Sequence, residues 1–317
     1  MRAVRIVGHG EVAVRDVPEP TPSSHDVVVT VTATSVCSTD RKLATRGHDH
    51  PCTPGHEVTG LLPDGTAAGI YPEVTCGRCA ACRAGWHNRC PDRESIGLAR
   101  DGGLAELVSV PTSQVVPLGG LDPVTSSMLE PLACAVHAVD VCGVSPGEPA
   151  AVVGGGAMGI LCGWALQAAG CPVAICQRPG PRQRIAHEMG FDVVFGPEST
   201  PRDHLDDAPA AVVVTAPGAA PLQWAVEQVA LGGVVHSFAG TPGGALVDAN
   251  AIHYRHLKLV GSTGSRLSDY RRARDLVASG EIKLDRLPHR VVTLEEAPAA
   301  VLERPPDGVL KTIVAMG

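Results

Sequence analysis

Ala150-Ala151-Val152-Val153-Gly154-Gly155-Gly156-Ala157-Met158-Gly159 is the stretch on which the fold turns. Four small apolar residues read as a short buried strand, and the glycines after them open an apolar helix that runs to Ala169. Gly154, Gly156 and Gly159 stand at the spacing of a dinucleotide fingerprint. In that pattern the first glycine permits the tight turn, the second lets the backbone approach a pyrophosphate, and the third lets helix pack on strand. The helix N-terminus then offers free N–H groups and the positive end of its dipole to the phosphates. A lone GxGxxG is weak evidence, so the neighbours decide. Downstream, strands are predicted at Pro172 to Cys176, Val193 to Phe195, Ala211 to Thr215, Gly233 to Phe238 and Leu257 to Gly261, with a helix at Arg182 to Met189. Strands alternating with helices predict an α/β, doubly wound parallel sheet covered on both faces.

Upstream the texture differs. The first 145 or so residues are rich in Thr, Val, Pro and Gly, with β-like runs at Arg2 to Val7, Val27 to Thr32 and Leu107 to Val110. One helix is expected there, Val124 to Val141. Beyond the nucleotide part, a helix from Ser268 to Ser279 leads to β-like runs at Arg290 to Thr293 and Lys311 to Ala315. The expected division is a mainly β domain over 1–147, a dinucleotide-binding domain over 148–279, and a tail, 280–317, that returns to the first domain.

The second predicted strand of the nucleotide part ends Cys176-Gln177-Arg178-Pro179. An NAD site usually has Asp or Glu here to hold the ribose 2′-hydroxyl. Neutral Gln177 followed by Arg178 suits a 2′-phosphate instead, because a guanidinium binds it with charge-assisted hydrogen bonds. Arg182 and Arg184 add positive charge, so NADP(H) is the expected cofactor.

The 317 residues are 44% apolar and 19% charged, with net charge −7, which is enough apolar content for two cores and excludes a disordered tail protein. No basic face suggests a nucleic acid or a polybasic membrane anchor. No apolar run reaches the roughly 20 residues of a spanning helix, and the N-terminal stretch does not read as a signal peptide. A cytoplasmic protein with reduced thiols is therefore expected. Its eleven cysteines are unevenly placed. Cys142, Cys162, Cys171 and Cys176 sit in apolar surroundings and read as small core residues. Cys76, Cys79, Cys82 and Cys90 instead form C-x2-C-x2-C-x7-C. Four thiolates in so short a stretch can close a tetrahedral shell around a structural zinc.

A more dispersed set comprises Cys37 before Ser38-Thr39-Asp40, the pair His56-Glu57 after Pro54-Gly55, and Glu130 before Pro131-Leu132. Each alone is unremarkable. Together with Gly102-Gly103-Leu104-Ala105-Glu106, the four-cysteine stretch, the fingerprint and Gly261-Ser262, in this order, they resemble the zinc-dependent medium-chain alcohol dehydrogenase family. Glu130 is similar to its polyol, threonine and 2-deoxy-scyllo-inosamine dehydrogenase branch. The resemblance implies a GroES-like fold for the first domain. It also implies a catalytic zinc held by Cys37, His56 and a carboxylate, Glu57 or Glu130, in addition to the structural zinc. Thr39 would pass the hydroxyl proton outward and Asp40 would orient the ligands. Two features depart from the family pattern. Lys42 stands where many relatives have a relay histidine, and Leu61 to Tyr71 is short and lacks the usual Gly-Asp-Arg-Val strand.

Two rival readings remain, a non-catalytic zinc or nucleotide-binding relative and a zinc-free-type NADPH reductase. The expected reaction interconverts a secondary alcohol and a ketone on a polar small molecule, a polyol, sugar or aminocyclitol. Residues 1–147 hold only Tyr71 and Trp86 as Phe, Tyr or Trp, and the segment before His56 is polar, Arg46-Gly47-His48-Asp49-His50. A homo-oligomer, dimer or tetramer, is expected; neither nucleic acid nor membrane is an expected partner.

Overall fold

A computed structural model describes residues 1–47 and 51–317; His48, Asp49 and His50, the centre of the polar segment, lie outside them. The chain forms two compact units. One comprises Met1–Pro131, Arg266–Ser279 and Lys283–Gly317, and the other Leu132–Ser265 with Gly280–Ile282.

The first unit begins with the hairpin β1 (Arg2–Gly8) and β2 (Glu11–Asp16), followed by β3 (Asp26–Ser35) and helix α1 (Ser38–Arg46). Then come β4 (Glu57–Leu61), β5 (Ala67–Ile70), β6 (Glu73–Val74), helix α2 (Ala80–Arg83), β7 (Glu94–Ser95), β8 (Leu107–Pro111) and β9 (Val115–Pro117). Helix α3 (Pro123–Ser126) precedes α4 (Leu129–Cys142). The single helix expected over Val124 to Val141 is thus two. Asp122 caps α3 by accepting from the Thr125 N–H at 2.9 Å, and the Ser127 hydroxyl donates to the Val124 carbonyl at 2.7 Å. Such local side-chain bonds compete with helix propagation, so the break falls at the serines.

The stretch Leu61 to Tyr71 carries a strand after all. β5 pairs antiparallel with β4, from Val58↔Ile70 to Leu61↔Ala67. Pro63-Asp64-Gly65 turns the chain, with the Asp64 carboxylate accepting from the Thr66 N–H at 2.9 Å. Gly65 takes φ +82°, which a side chain would oppose.

The second unit holds β10 (Ala150–Val153), α5 (Ala157–Ala168), β11 (Val173–Cys176), α6 (Pro181–Glu188), β12 (Val193–Phe195), β13 (Ala211–Val214), α7 (Ala219–Gln228), β14 (Val234–Ser237), α8 (Ala249–Tyr254) and β15 (Lys258–Gly261). These strands form one parallel sheet in the order β12-β11-β10-β13-β14-β15. That is the doubly wound order 3-2-1-4-5-6. The central strands are buried on both faces, which is why they read as unbroken apolar runs. Their core includes Val153, Phe195, Val214 and Leu222. Cys142, Cys162, Cys171 and Cys176 are all buried, as their surroundings in the sequence implied.

Helix α9 (Leu267–Ala278), β16 (His289–Val292), α10 (Ala297–Leu302) and β17 (Lys311–Ala315) complete the first unit. Its large sheet runs β16-β17-β3-β4-β5-β9, with β8 also on β3. β17 pairs antiparallel with β3, placing Ile313 opposite Ser35. The last strand of the chain therefore lies beside the strand that leads to Cys37.

Candidate active site

The site is assembled where β3 and β4 meet. Cys37 follows β3 and caps α1; its N–H donates to the Asp40 carboxylate, three residues on, at 2.8 Å. The other Asp40 oxygen accepts the Gly55 N–H at 3.2 Å and lies 3.3 Å from His56 Nδ1. Asp40 is fully buried. One carboxylate thus joins the loop that carries Cys37 to the loop that carries His56. Burial alone would raise the Asp40 pKa, but the His56 ring and the Cys37 N–H outweigh it and hold the group below its ordinary value. Burial alone would lower the pKa of His56, whereas Asp40 and then Cys37 bring it well above the ordinary histidine range. A proton and a metal ion therefore compete for this ring, and acid favours the proton.

Glu57 begins β4, directly opposite Ser35 of β3. It is fully buried and ion-paired. Lys311 Nζ, itself buried, donates to its carboxylate at 2.6 Å, and the Ser35 hydroxyl donates to the other oxygen. Burial pulls the Lys311 pKa down, but the Glu57 charge more than reverses this. Neither Ser35 nor Lys311 was singled out in the sequence. Lys311 had a signal, as the one charge in the β-like run to Ala315.

Ligand atoms of Cys37, His56 and Glu57 lie within 4.8 Å of one another. Thiol, imidazole and carboxylate are donors that zinc accepts, and the three converge here with His56 and Glu57 buried. The donor set fits a zinc ion. Glu130 is not in this group of three. It is buried in the first turn of α4, and its charge is felt by Lys311 and by the buried Tyr270. Thr39 is half-buried in the first turn of α1, and Lys42 is exposed.

The four cysteines of the lobe converge as well. Cys79 and Cys82 sulfurs are 3.4 Å apart, Cys76 and Cys90 3.6 Å, and Cys76 and Cys82 3.9 Å. A tetrahedron with Zn–S of about 2.3 Å has edges near ~3.8 Å, so the lobe fits zinc with no open position. Backbone N–H groups of Arg78 and then Cys79 hold the Cys76 thiol below its ordinary pKa, favouring the thiolate ligand. The Arg89 and Arg266 guanidinium groups lie over the Trp86 ring of the lobe, 3.8 Å and 5.0 Å from its centroid. Cys79→Ala is expected to remove one zinc per chain and lower Tm by on the order of 10 °C, since a structural metal contributes folding energy directly. Metal analysis with a thermal melt checks this, and a variant that keeps two zincs would contradict the assignment.

In the second unit Gly154 follows β10 with φ +113°. A Cβ on Gly159 would lie 1.7 Å from the Gly154 carbonyl oxygen, so only glycine allows helix and turn to meet. The Gly155 N–H donates to the Gln177 side-chain oxygen at 2.7 Å. Gln177 thus ties the end of β11 to the fingerprint turn. The Arg182 guanidinium stands 3.7 Å from the position of a Cβ on Gly156, while Arg178 is exposed.

Comparison with known proteins agrees with this arrangement. Residues 23–120 match the alcohol dehydrogenase GroES-like domain. Residues 150–235, the nucleotide-binding part, match ketopantoate reductase PanE/ApbA. Sorbitol dehydrogenase of Halalkalibacterium halodurans is 32% identical over 236 residues, 68% of each chain. L-Galactonate-5-dehydrogenase of Escherichia coli K12 is 28% identical over 293 residues, 86% of each. A solved structure from Sinorhizobium meliloti 1021, described as a zinc-binding dehydrogenase bound to NADP, is 32% identical, covers 99% of this chain and 98% of its own, and superposes with a TM-score of 0.92. Among the described residues no helix is long and apolar enough to cross a membrane. With the GroES-like and doubly wound units both present and relatives matched across the whole length, this chain belongs to the zinc-dependent medium-chain alcohol dehydrogenase family.

Proposed function

We propose that this dehydrogenase uses NADP(H) and interconverts a secondary alcohol and a ketone on a polar substrate, a polyol, sugar or aminocyclitol. The observation that carries the reaction class is the convergence of Cys37, His56 and Glu57 at one buried point. Cys37, His56 and Glu57 would hold the catalytic zinc, and Cys76, Cys79, Cys82 and Cys90 the structural one. Bound at the first site, zinc supplies the Lewis acidity that stabilises negative charge on the substrate oxygen.

The chain's own residues set up the rest. Asp40 keeps the Cys37 and His56 loops in register through its three contacts. Lys311 answers the charge of Glu57 with a buried ion pair. Ser35 fixes the Glu57 carboxylate from the neighbouring strand. Thr39 would pass the hydroxyl proton from the substrate toward solvent, and a bound nicotinamide would supply the hydride acceptor or donor. Arg178 meets the 2′-phosphate, and Gln177 leaves out the carboxylate that would repel it.

The polar substrate class draws on the relatives and on the scarcity of aromatic side chains. Relatives are named for sorbitol, L-galactonate and D-altritol. In the first 147 residues Tyr71 is buried against Tyr270, and Trp86 is stacked under Arg89, so neither builds an apolar wall. The reading includes a cytoplasmic homo-oligomer, dimer or tetramer, which light scattering tests. The substrate is tested by a screen with NADPH and NADP+ over aliphatic alcohols and ketones, sugars and polyols, and aminocyclitols. Expected is a kcat/KM at least tenfold higher on a hydroxyl-rich or amino-bearing compound. Preference for an unsubstituted aliphatic ketone would refute the polar-substrate reading.

A further inference from the structure

We propose that His236 and Ser262 form a clasp that presents the Ser262 hydroxyl, as a hydrogen-bond donor, to the carboxamide of the nicotinamide ring. This rests on the dinucleotide reading above, and it is independent of the choice between NADP(H) and NAD(H).

The strand order places the clasp. A doubly wound sheet consists of two mononucleotide-binding halves, and ligands lie outside the carboxyl ends of the strands. The fingerprint after β10 and Gln177 after β11 belong to the half that takes the adenosine. The half built on β13, β14 and β15 is left for the nicotinamide. β14 ends at Ser237 and β15 at Gly261, so Ser262 is the first residue past the carboxyl end of β15.

His236 is out of character for its surroundings. The central strands of the same sheet, β10, β11 and β13, are Ala-Ala-Val-Val, Val-Ala-Ile-Cys and Ala-Val-Val-Val, all buried. Amid them stands a fully buried imidazole, whose Nε2 lies 3.0 Å from Ser262 Oγ. Burial, and then the His137 ring facing it from α4, push its pKa down to about 4, so the ring is neutral at physiological pH. A neutral imidazole carries one N–H. Nδ1 is buried with no hydrogen-bond partner among the described residues. A proton on Nδ1 would orphan a buried donor, which proteins tolerate less well than an under-used acceptor. In the proposed clasp the proton sits on Nε2 and is donated to Ser262 Oγ.

Once Ser262 Oγ accepts that bond, its own proton turns elsewhere. The hydroxyls at the other two strand ends differ. Thr215, after β13, donates to the carbonyls of Val153 and Gly154 at 3.0 and 3.3 Å. Ser237, ending β14, donates to the Ala239 carbonyl at 3.4 Å. Ser262 is half-exposed and has its donor uncommitted. Of the groups on a nicotinamide ring, the carboxamide oxygen is the one that accepts such a bond. Holding it fixes how the ring lies.

The test is fluorescence titration of NADPH and of NADH, alongside calorimetric titration of 2′-phospho-ADP-ribose and of ADP-ribose, which lack only the nicotinamide. Ser262→Ala is expected to raise Kd for the reduced dinucleotide about tenfold and to leave the matching ADP-ribose within twofold. His236→Leu should reproduce this, His236→Gln should recover most of it by supplying a donor, and the double variant should be no worse than either single one. An unchanged dinucleotide Kd in Ser262→Ala overturns the clasp. So does a parallel loss for the ADP-riboses, which would mark a merely structural role. Ser262→Ala decides alone if the His236 variants do not fold. Wild-type preference for NADH would fail the NADP(H) reading only, and the Ser262 effect is then read on NADH by the same criteria.

Discussion

His56→Ala and Cys37→Ala are each expected to lower kcat/KM by about a thousandfold or more while leaving one zinc per chain. A metal that stabilises charge on the substrate oxygen contributes several kcal/mol to the transition state, and each ~1.4 kcal/mol is a factor of ten in rate. Either change removes one of the three donors gathered within 4.8 Å. Neither should unfold the unit. Its apolar clusters, around Val4, Leu104 and Val301 and around Val31, Ile70 and Val108, do not include the site residues. The cysteine lobe shares no ligand with this site, so its zinc should stay. Metal analysis, a thermal melt and steady-state kinetics on the same preparations check the three parts together. Retained turnover in Cys37→Ala would sink the catalytic-zinc assignment. Loss of both zincs would instead mean that the two sites fold as one. The competition at His56 adds a pH signature. Because its folded pKa lies above the ordinary histidine value, zinc affinity should decline as pH falls through the raised value.

The parts of this molecule that were legible in the sequence are those whose signal is local. β10, β12 and β17 lie at the residues expected, because short apolar runs bounded by Gly, Pro or charge mark them. The cysteine lobe was legible because its four ligands fall within one short stretch. Helix α1 was not, since Ser38–Arg46 buries only Asp40 and Ala44 and so shows no apolar face. β2 was missed for the same reason, being half-buried at most. The choice between Glu57 and Glu130 could not be read from the chain because it depends on tertiary neighbours. Glu57 sits with Cys37 and His56, but its charge is answered by Lys311, 254 residues away in sequence. Ser35 enters only through strand register, which the alternation of β3 does not reveal.

Gln177→Asp combined with Arg178→Ala is expected to shift the ratio of kcat/KM for NADPH over NADH by roughly 100- to 1000-fold toward NADH. The two changes act on the same atoms from opposite directions. A hydrogen bond to a charged group contributes about 1.5–3 kcal/mol, so losing the Arg178 guanidinium should weaken NADPH alone by roughly 10- to 100-fold. An aspartate at the end of β11 then repels the 2′-phosphate and offers NADH an acceptor for the ribose hydroxyl. Position 177 is suited to the exchange, because the side chain there already reaches the fingerprint turn, accepting the Gly155 N–H at 2.7 Å. Arg182 supplies the control. Its guanidinium lies over Gly156, beside the turn that would hold the pyrophosphate common to both cofactors. Arg182→Ala should therefore weaken NADPH and NADH alike, whereas Arg178→Ala should spare NADH. Kinetics with both cofactors on the three variants separate the 2′-phosphate contact from the pyrophosphate contact. Equal losses on both cofactors in Arg178→Ala would remove Arg178 from the specificity role. An unaltered enzyme that already prefers NADH would end the NADP(H) argument at this strand.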